Sequence, residues 1–208
     1  MRSTPAIWIF ILILASLLAG CIGPRKPPER PDNICEIFRE NKDWYGDAYE
    51  SYTRWGVPIP VMMAIMHQES RFNAKIKPPR TTCLWIFPGP RPSSAYGYSQ
   101  ALDSTWEKYI RSSGNSGADR DEFDDAIHFI GWYCYRSHVK CGIARNDAYN
   151  LYLAYHEGHG GYLRRTYSSK PWLRRVAQNV KHRAGTYQSQ LAACEREFTR
   201  RGCCLWPF

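Results

Sequence analysis

An all-α domain is what this sequence predicts, and three observations carry the prediction. Apolar residues recur three and four apart through most of the chain after the first thirty residues. No stretch alternates convincingly at the two-residue period of a half-buried strand. The one long irregular piece, Lys75 to Ala95, is broken up by its prolines.

The elements follow in order. "NICEIFRENKDWYGDAYESYTRWG" sets Ile37, Trp44, Tyr45, Tyr49 and Tyr52 near helical spacing. "PIPVMMAIMHQES" opens with prolines, which a first turn tolerates. "DSTWEKYIRSSG" carries a capping-box pattern, Ser104 to Glu107, and a stop at Gly114. "DEFDDAIHFIGWYCYRSH" starts with acids that favour a helix N-terminus. In "NDAYNLYLAYHEG" Asn146 is the expected cap and Gly158 the expected stop. The last and longest helix carries Leu173, Val176, Val180, Ala184, Tyr187 and Leu191 at helical intervals. Within Lys75–Ala95, the "LWIF" core predicts an ordered flap or a small hairpin.

The length of 208 residues suits one domain, and the first twenty residues do not belong to it. Arg2, the apolar run "AIWIFILILASLL" and the small residues before Cys21 have the order of a secretory signal. The run is shorter than the ~20 apolar residues a spanning helix wants. "LAGC" resembles the lipobox of bacterial lipoproteins, which implies lipid on Cys21 and a membrane anchor through it. Ile22 after the cysteine mildly favours an outer-membrane address facing the periplasm. The expected organisation is residues 1–20 signal, 21–32 proline-rich tether, 33–200 domain and 201–208 tail. The tail "CCLWPF" carries no interpretable signal.

The chain has 8 cysteines, and an exported protein would pair most of them, with connectivity unreadable from sequence. With Cys21 lipidated an odd number remains. His128, Cys134, His138 and Cys141 match no usual zinc spacing, so no metal and no cofactor is expected. The net charge of +9 suits an acidic polymer or an anionic surface. Export and the lack of a recognition motif argue against nucleic acid.

Glu69 stands out. Ile65, Met62 and Val61 precede it by four, seven and eight residues, so it extends an apolar helix face. Burial and the negative end of the helix dipole both raise a carboxyl pKa. A carboxylic acid that keeps its proton near neutral pH is a general acid.

Three segments, "ESRFN" (69–73), "YGYSQ" (96–100) and "AYHEGHGGY" (154–162), resemble in order and spacing the motifs of soluble-type lytic transglycosylases, relatives of goose-type lysozyme. The similarity runs from about Pro58 to Leu191, and it implies a lysozyme-like all-α fold with a groove. By resemblance Glu69 is the single catalytic acid and base, and Ser70 hydrogen-bonds within the site. Gly97 lets backbone approach closely, with Tyr98 beside it. Gln100 meets sugar, and Tyr155 lies near the carboxyl and the substrate. His156 stands where the family carries Asn; it keeps a donor and adds a titratable ring. Ser99 replaces a residue more often apolar, and near "VAQNV" there is Asn179 where a tyrosine is usual, Tyr187 being the nearest alternative.

The resemblance implies peptidoglycan glycan strands as substrate, cut between MurNAc and GlcNAc with a 1,6-anhydro end. Most glycosidases need two carboxylates; a substrate that supplies its own nucleophile needs one. Two other readings stay open: a muramidase assisted by Glu157 or Asp47, and an inactive wall-binding lipoprotein. Tyr96, Tyr98, Trp85 and Trp106 are candidates for stacking on sugars, though core packing explains each as well.

Overall fold

The computed structural model describes residues 26–80, 82–83, 87–88 and 91–199. Cys21, Trp85 and the tail lie outside them. The described chain is helical: α1 Ile34–Glu40, α2 Trp44–Trp55, α3 Ile59–Ser70, α4 Asp103–Ser113, α5 Phe123–Cys141, α6 Ala148–Leu163, a 3-10 turn Thr166–Ser169 and α7 Pro171–Thr199. It is the all-α, lysozyme-like fold. Two two-residue strands, β1 Thr82–Cys83 and β2 Phe87–Pro88, pair antiparallel as a small hairpin between α3 and α4.

α3 is the central element. Ile59 through His67 are all buried, because Val61 to Met66 make the helix apolar on every side rather than along one stripe. It packs against α7 and α5, and α6 packs against α5 and α7. Gly131 lets α5 cross close to α2 and α3. A Cβ there would lie 2.5 Å from Ser51 Oγ and 3.1 Å from Met62 Sδ. Ser51 itself donates to the Ile127 carbonyl at 3.1 Å. Trp44 stacks on Phe123 at 3.9 Å between ring centroids and meets Phe72 and Tyr98, tying α2 to the two motif loops.

Four helix boundaries depart from expectation. The first stretch breaks at Asn41–Asp43 into α1 and α2. Asn33 caps α1 by accepting from the Cys35 and Glu36 amides. α4 starts at Asp103 with Leu102 in the N-cap place and no side-chain cap bond, so Ser104 and Glu107 lie inside the helix and form no capping box. In α6 the cap is Asp147, which accepts from the Asn150 amide at 3.1 Å, in place of Asn146. Gly158 bends that helix (φ 70°, ψ 159°) without stopping it, because helical turns resume to Leu163.

A disulfide joins Cys35 in α1 to Cys194 in α7 across 159 residues. A disulfide restricts the unfolded chain and typically stabilises by about 2–4 kcal/mol. The segment before α1 runs against α7. Tyr187 donates to the Pro31 carbonyl, Arg183 pairs with Asp32 and Gln190 donates to the Asp32 carbonyl at 3.2 Å. Tyr187 is therefore fully buried under the tether and does not stand in for a missing groove tyrosine.

Candidate active site

Glu69 occupies the last turn of α3. The next two residues, Arg71 (φ 51°) and Phe72 (φ 60°), take left-handed backbone, which is costly for residues with a Cβ. Phe72 is fully buried against Trp44 and His67 and holds this turn in place. Of the four non-glycine residues with positive φ among the described residues, Arg71, Phe72 and Gln100 all lie in the first two motifs. Strain concentrated in this way is typical of a functional site.

The carboxyl of Glu69 is densely surrounded, though the residue keeps a partial opening to solvent. Burial pushes its pKa up to about 7, against a smaller downward pull from a hydrogen bond with the Tyr152 hydroxyl. The side chain is thus half protonated near neutrality and oriented by a neutral phenol. The phenols of Tyr152 and Tyr155 are themselves pushed above their ordinary range, chiefly by burial and then by the nearby Glu69 charge.

Tyr155 joins the second and third motifs. Its hydroxyl donates to the Ser99 carbonyl at 2.7 Å, and its ring meets Tyr133 edge-on at 5.0 Å. Glu69, Ser99, Tyr152 and Tyr155 therefore converge. The loop carrying Ser99 is fixed from α5's approach: the Arg120 carbonyl accepts from the Tyr98 amide at 3.1 Å. Its guanidinium donates to the Ser94 and Ala101 carbonyls and pairs with Asp103 at 2.8 Å. A Cβ on Gly97 (φ 74°) would lie 2.0 Å from the Arg120 carbonyl oxygen, so no other residue fits that turn.

Other predicted residues are placed differently. The Ser70 hydroxyl is buried and donates back to the Met66 carbonyl at 3.2 Å, inside its own helix. Gln100 donates its amide to the Gly97 and Ile76 carbonyls, at 2.9 and 3.1 Å, so its nitrogen holds the loop. The Tyr98 ring is 1% exposed between Trp44 and Phe123, and this overturns its expected role as a sugar platform. Trp106 is likewise core, donating to the Ala118 carbonyl. Tyr96 remains partly exposed, its hydroxyl on Asp121 and its face under Lys77 and Arg120.

His156 lies on the rim, its Nδ1 3.0 Å from Glu157 and its ring edge-on to the exposed Trp172. The Glu157 side chain is 4% exposed. Burial pulls its carboxyl upward, but Lys170 at 2.8 and 3.0 Å, the Thr166 hydroxyl and His156 outweigh it, leaving the pKa at about 2. It is a permanent anion committed to an ion pair. Asp47 lines two surface hollows that include no residue of the three motifs.

Tyr152 and Arg120 escaped the sequence reading. Tyr152 precedes Tyr155 by three residues on the same face of α6, and that spacing was the available signal. Nothing local marks Arg120.

His128 from the rejected zinc set is occupied otherwise. It accepts from the Trp55 indole at Nε2, so its proton sits on Nδ1, which faces the Tyr109 hydroxyl at 2.9 Å.

Comparison with curated proteins finds no match. Comparison with protein families matches residues 9–194 to the family described as the transglycosylase SLT domain. With that match over most of its length, and with the three motifs gathered around Glu69, the chain belongs to the transglycosylase SLT domain family, and its function is of the lytic-transglycosylase type, on peptidoglycan.

Proposed function

We propose that the protein cleaves the β-1,4 bond between MurNAc and GlcNAc with Glu69 acting first as acid and then as base, leaving 1,6-anhydro-MurNAc ends. The observation that supports this most is the contrast at the site. Glu69 has its pKa raised to about 7, while Glu157, the nearest alternative in sequence, is held ionised by Lys170.

Glu69 gives its proton to the glycosidic oxygen as the bond to the anomeric carbon breaks. The muramic 2-acetamido oxygen bonds to that carbon, forming an oxazolinium. The carboxylate then takes the proton of the 6-hydroxyl, whose oxygen displaces the acetamido group and closes the anhydro ring. The proton returns to Glu69, and no water is consumed. A single carboxylate that is protonated and ionised in comparable amounts suits both steps. The Tyr152 hydrogen bond orients the carboxylate, and Tyr155 packs beside it. Gln100 and His156 meet the glycan, with Gly97 and Ser70 shaping the backbone around it.

The resemblance of "LAGC" to a lipobox, with the tether that follows, supports a lipid anchor at Cys21 on the inner face of the outer membrane. The test is to digest purified sacculi and weigh the products. Anhydro ends support the proposal. Reducing ends indicate the muramidase, and an absence of released muropeptides indicates a binding protein.

A further inference from the structure

The second motif folds into a closed turn that needs support from outside it. Tyr96 and Ala101 pair as an isolated antiparallel bridge, and between them Gly97 and Gln100 take left-handed backbone, at φ 74° and 50°. Glycine adopts that conformation freely. For Gln100, which has a Cβ, it is costly and relaxes unless the surroundings hold it. The holding comes from Arg120, far along the chain, which meets the turn at its entry, its middle and its exit. Its guanidinium donates to the Ser94 carbonyl at 3.1 Å and to the Ala101 carbonyl at 2.8 Å. Its own carbonyl accepts from the Tyr98 amide at 3.1 Å, and the guanidinium carbon lies 5.5 Å from the centre of the Tyr96 ring.

The same fork also pairs with Asp103 in the first turn of α4 at 2.8 Å. A planar group with fixed, separated donors spans two carbonyls and a carboxylate at once, whereas lysine gathers its donors on one atom. The Arg120 side chain is 20% exposed, so its bonds to the carbonyls are largely shielded from water. The Asp103 side chain is 59% exposed, and that pair contributes little. Between the two clamped carbonyls lies Ser99, whose own carbonyl accepts from the Tyr155 hydroxyl at 2.7 Å. If the turn relaxes, the acceptor that fixes Tyr155 moves with it.

We infer that Arg120 is a positioning residue of the active site: it clamps both ends of the second motif, so that the Ser99 carbonyl holds the Tyr155 hydroxyl beside Glu69. Arg120 acts through backbone carbonyls, and the Asp103 ion pair is incidental to the effect. The inference rests on the glycan-cleaving role proposed above for its kinetic readout. Its structural readout is independent of that role.

Three variants test it. Arg120→Met removes the fork, Arg120→Lys keeps the charge and the Asp103 pair, and Asp103→Asn removes that pair alone. On soluble glycan strands Arg120→Met lowers kcat by about 100-fold, the scale of a small misplacement at a reacting centre, with a smaller rise in KM. Arg120→Lys loses about tenfold in kcat and Asp103→Asn stays within about threefold, because the exposed ion pair adds little. NMR of the Tyr155 hydroxyl proton, slowed in exchange by its bond to Ser99, needs no turnover. The signal persists in wild type and Asp103→Asn, weakens in Arg120→Lys and is lost in Arg120→Met. Arg120→Lys carries the test if Arg120→Met does not fold. Wild-type kcat with an intact hydroxyl signal in Arg120→Lys, or a rise in KM at unchanged kcat in Arg120→Met, overturns the inference. If wild type releases nothing from glycan strands, the proposed reaction fails and the hydroxyl signal alone decides: its full retention in Arg120→Lys overturns the inference, and its weakening sustains it.

Discussion

Glu69 and Glu157 are both shielded glutamates within the matched family region, and they have been driven in opposite directions. Glu69 lies in the last turn of α3, shielded and hydrogen-bonded to the Tyr152 phenol, and its pKa is raised to about 7. Glu157 lies on α6 at the Gly158 bend, where a lysine, a threonine and a histidine surround it, and it loses its proton at about pH 2. Burial raises both; only the partners differ. Desolvation alone makes an acid, whereas desolvation with a cation makes a structural anion. Possessing a carboxylate near the groove is therefore not enough for catalysis.

The comparison breaks most sharply with Glu69→Gln. That change removes the only proton donor in the proposed reaction, and cleavage of sacculi is expected to fall by about 10³-fold, within the range for general acid–base groups. Binding to sacculi in a pull-down persists.

Stability responds next. Glu69 has a folded pKa above its unfolded value of 4.5, so the unfolded chain releases this proton first as pH rises. Its favourable contribution is complete below pH 4.5 and is lost by pH 7, a change of up to about 3 kcal/mol. Glu157 has the opposite sign: its contribution is present above pH 4.5 and is lost as pH falls toward 2. Urea melts across pH, compared between wild type and Glu69→Gln, isolate the first arm. The variant is then the more stable protein above pH 7, the usual exchange between activity and stability.

Glu157→Gln leaves Lys170 without its partner and lowers stability at pH 7 by about 1–3 kcal/mol. Sacculus cleavage stays within about tenfold, since Glu157 is committed to Lys170 and Thr166 and has no part in the proposed reaction. A loss as deep as that of Glu69→Gln would give Glu157 a catalytic part and favour the muramidase.

The smallest effect sharpens the comparison. Tyr152 pulls the Glu69 pKa down, so Tyr152→Phe raises it further. The alkaline limb of the pH–rate profile moves upward by about one unit or less. A downward movement contradicts the assigned hydrogen bond.

Glu69 was legible because the sequence places a carboxylate after an apolar helical run, although the reason given was too narrow. From Ile59 to His67 α3 is buried on every face, so the position of Glu69 in the last turn matters more than the stripe. The convergence of the three motifs was legible through their order alone. Tyr152 was hidden because a helical aromatic reads as core, which it also is. Glu157 remained ambiguous because Lys170 lies thirteen residues on, and only the Gly158 bend and the 3-10 turn after it bring the two together. Tyr98 reads in sequence as either a sugar platform or a core aromatic, and Tyr187 as an apolar-face residue that could also stand in for a groove tyrosine; the choice depends on Trp44, Phe123 and the tether, which are distant in the chain.

Titrating the Glu69 carboxyl carbon by NMR in the wild-type protein, with Glu69→Gln to assign the signal, addresses the central claim directly. The account predicts a midpoint near pH 7. A midpoint at or below 4.5 would mean that this group is already an anion wherever the enzyme works, and the proposed proton donor would not exist.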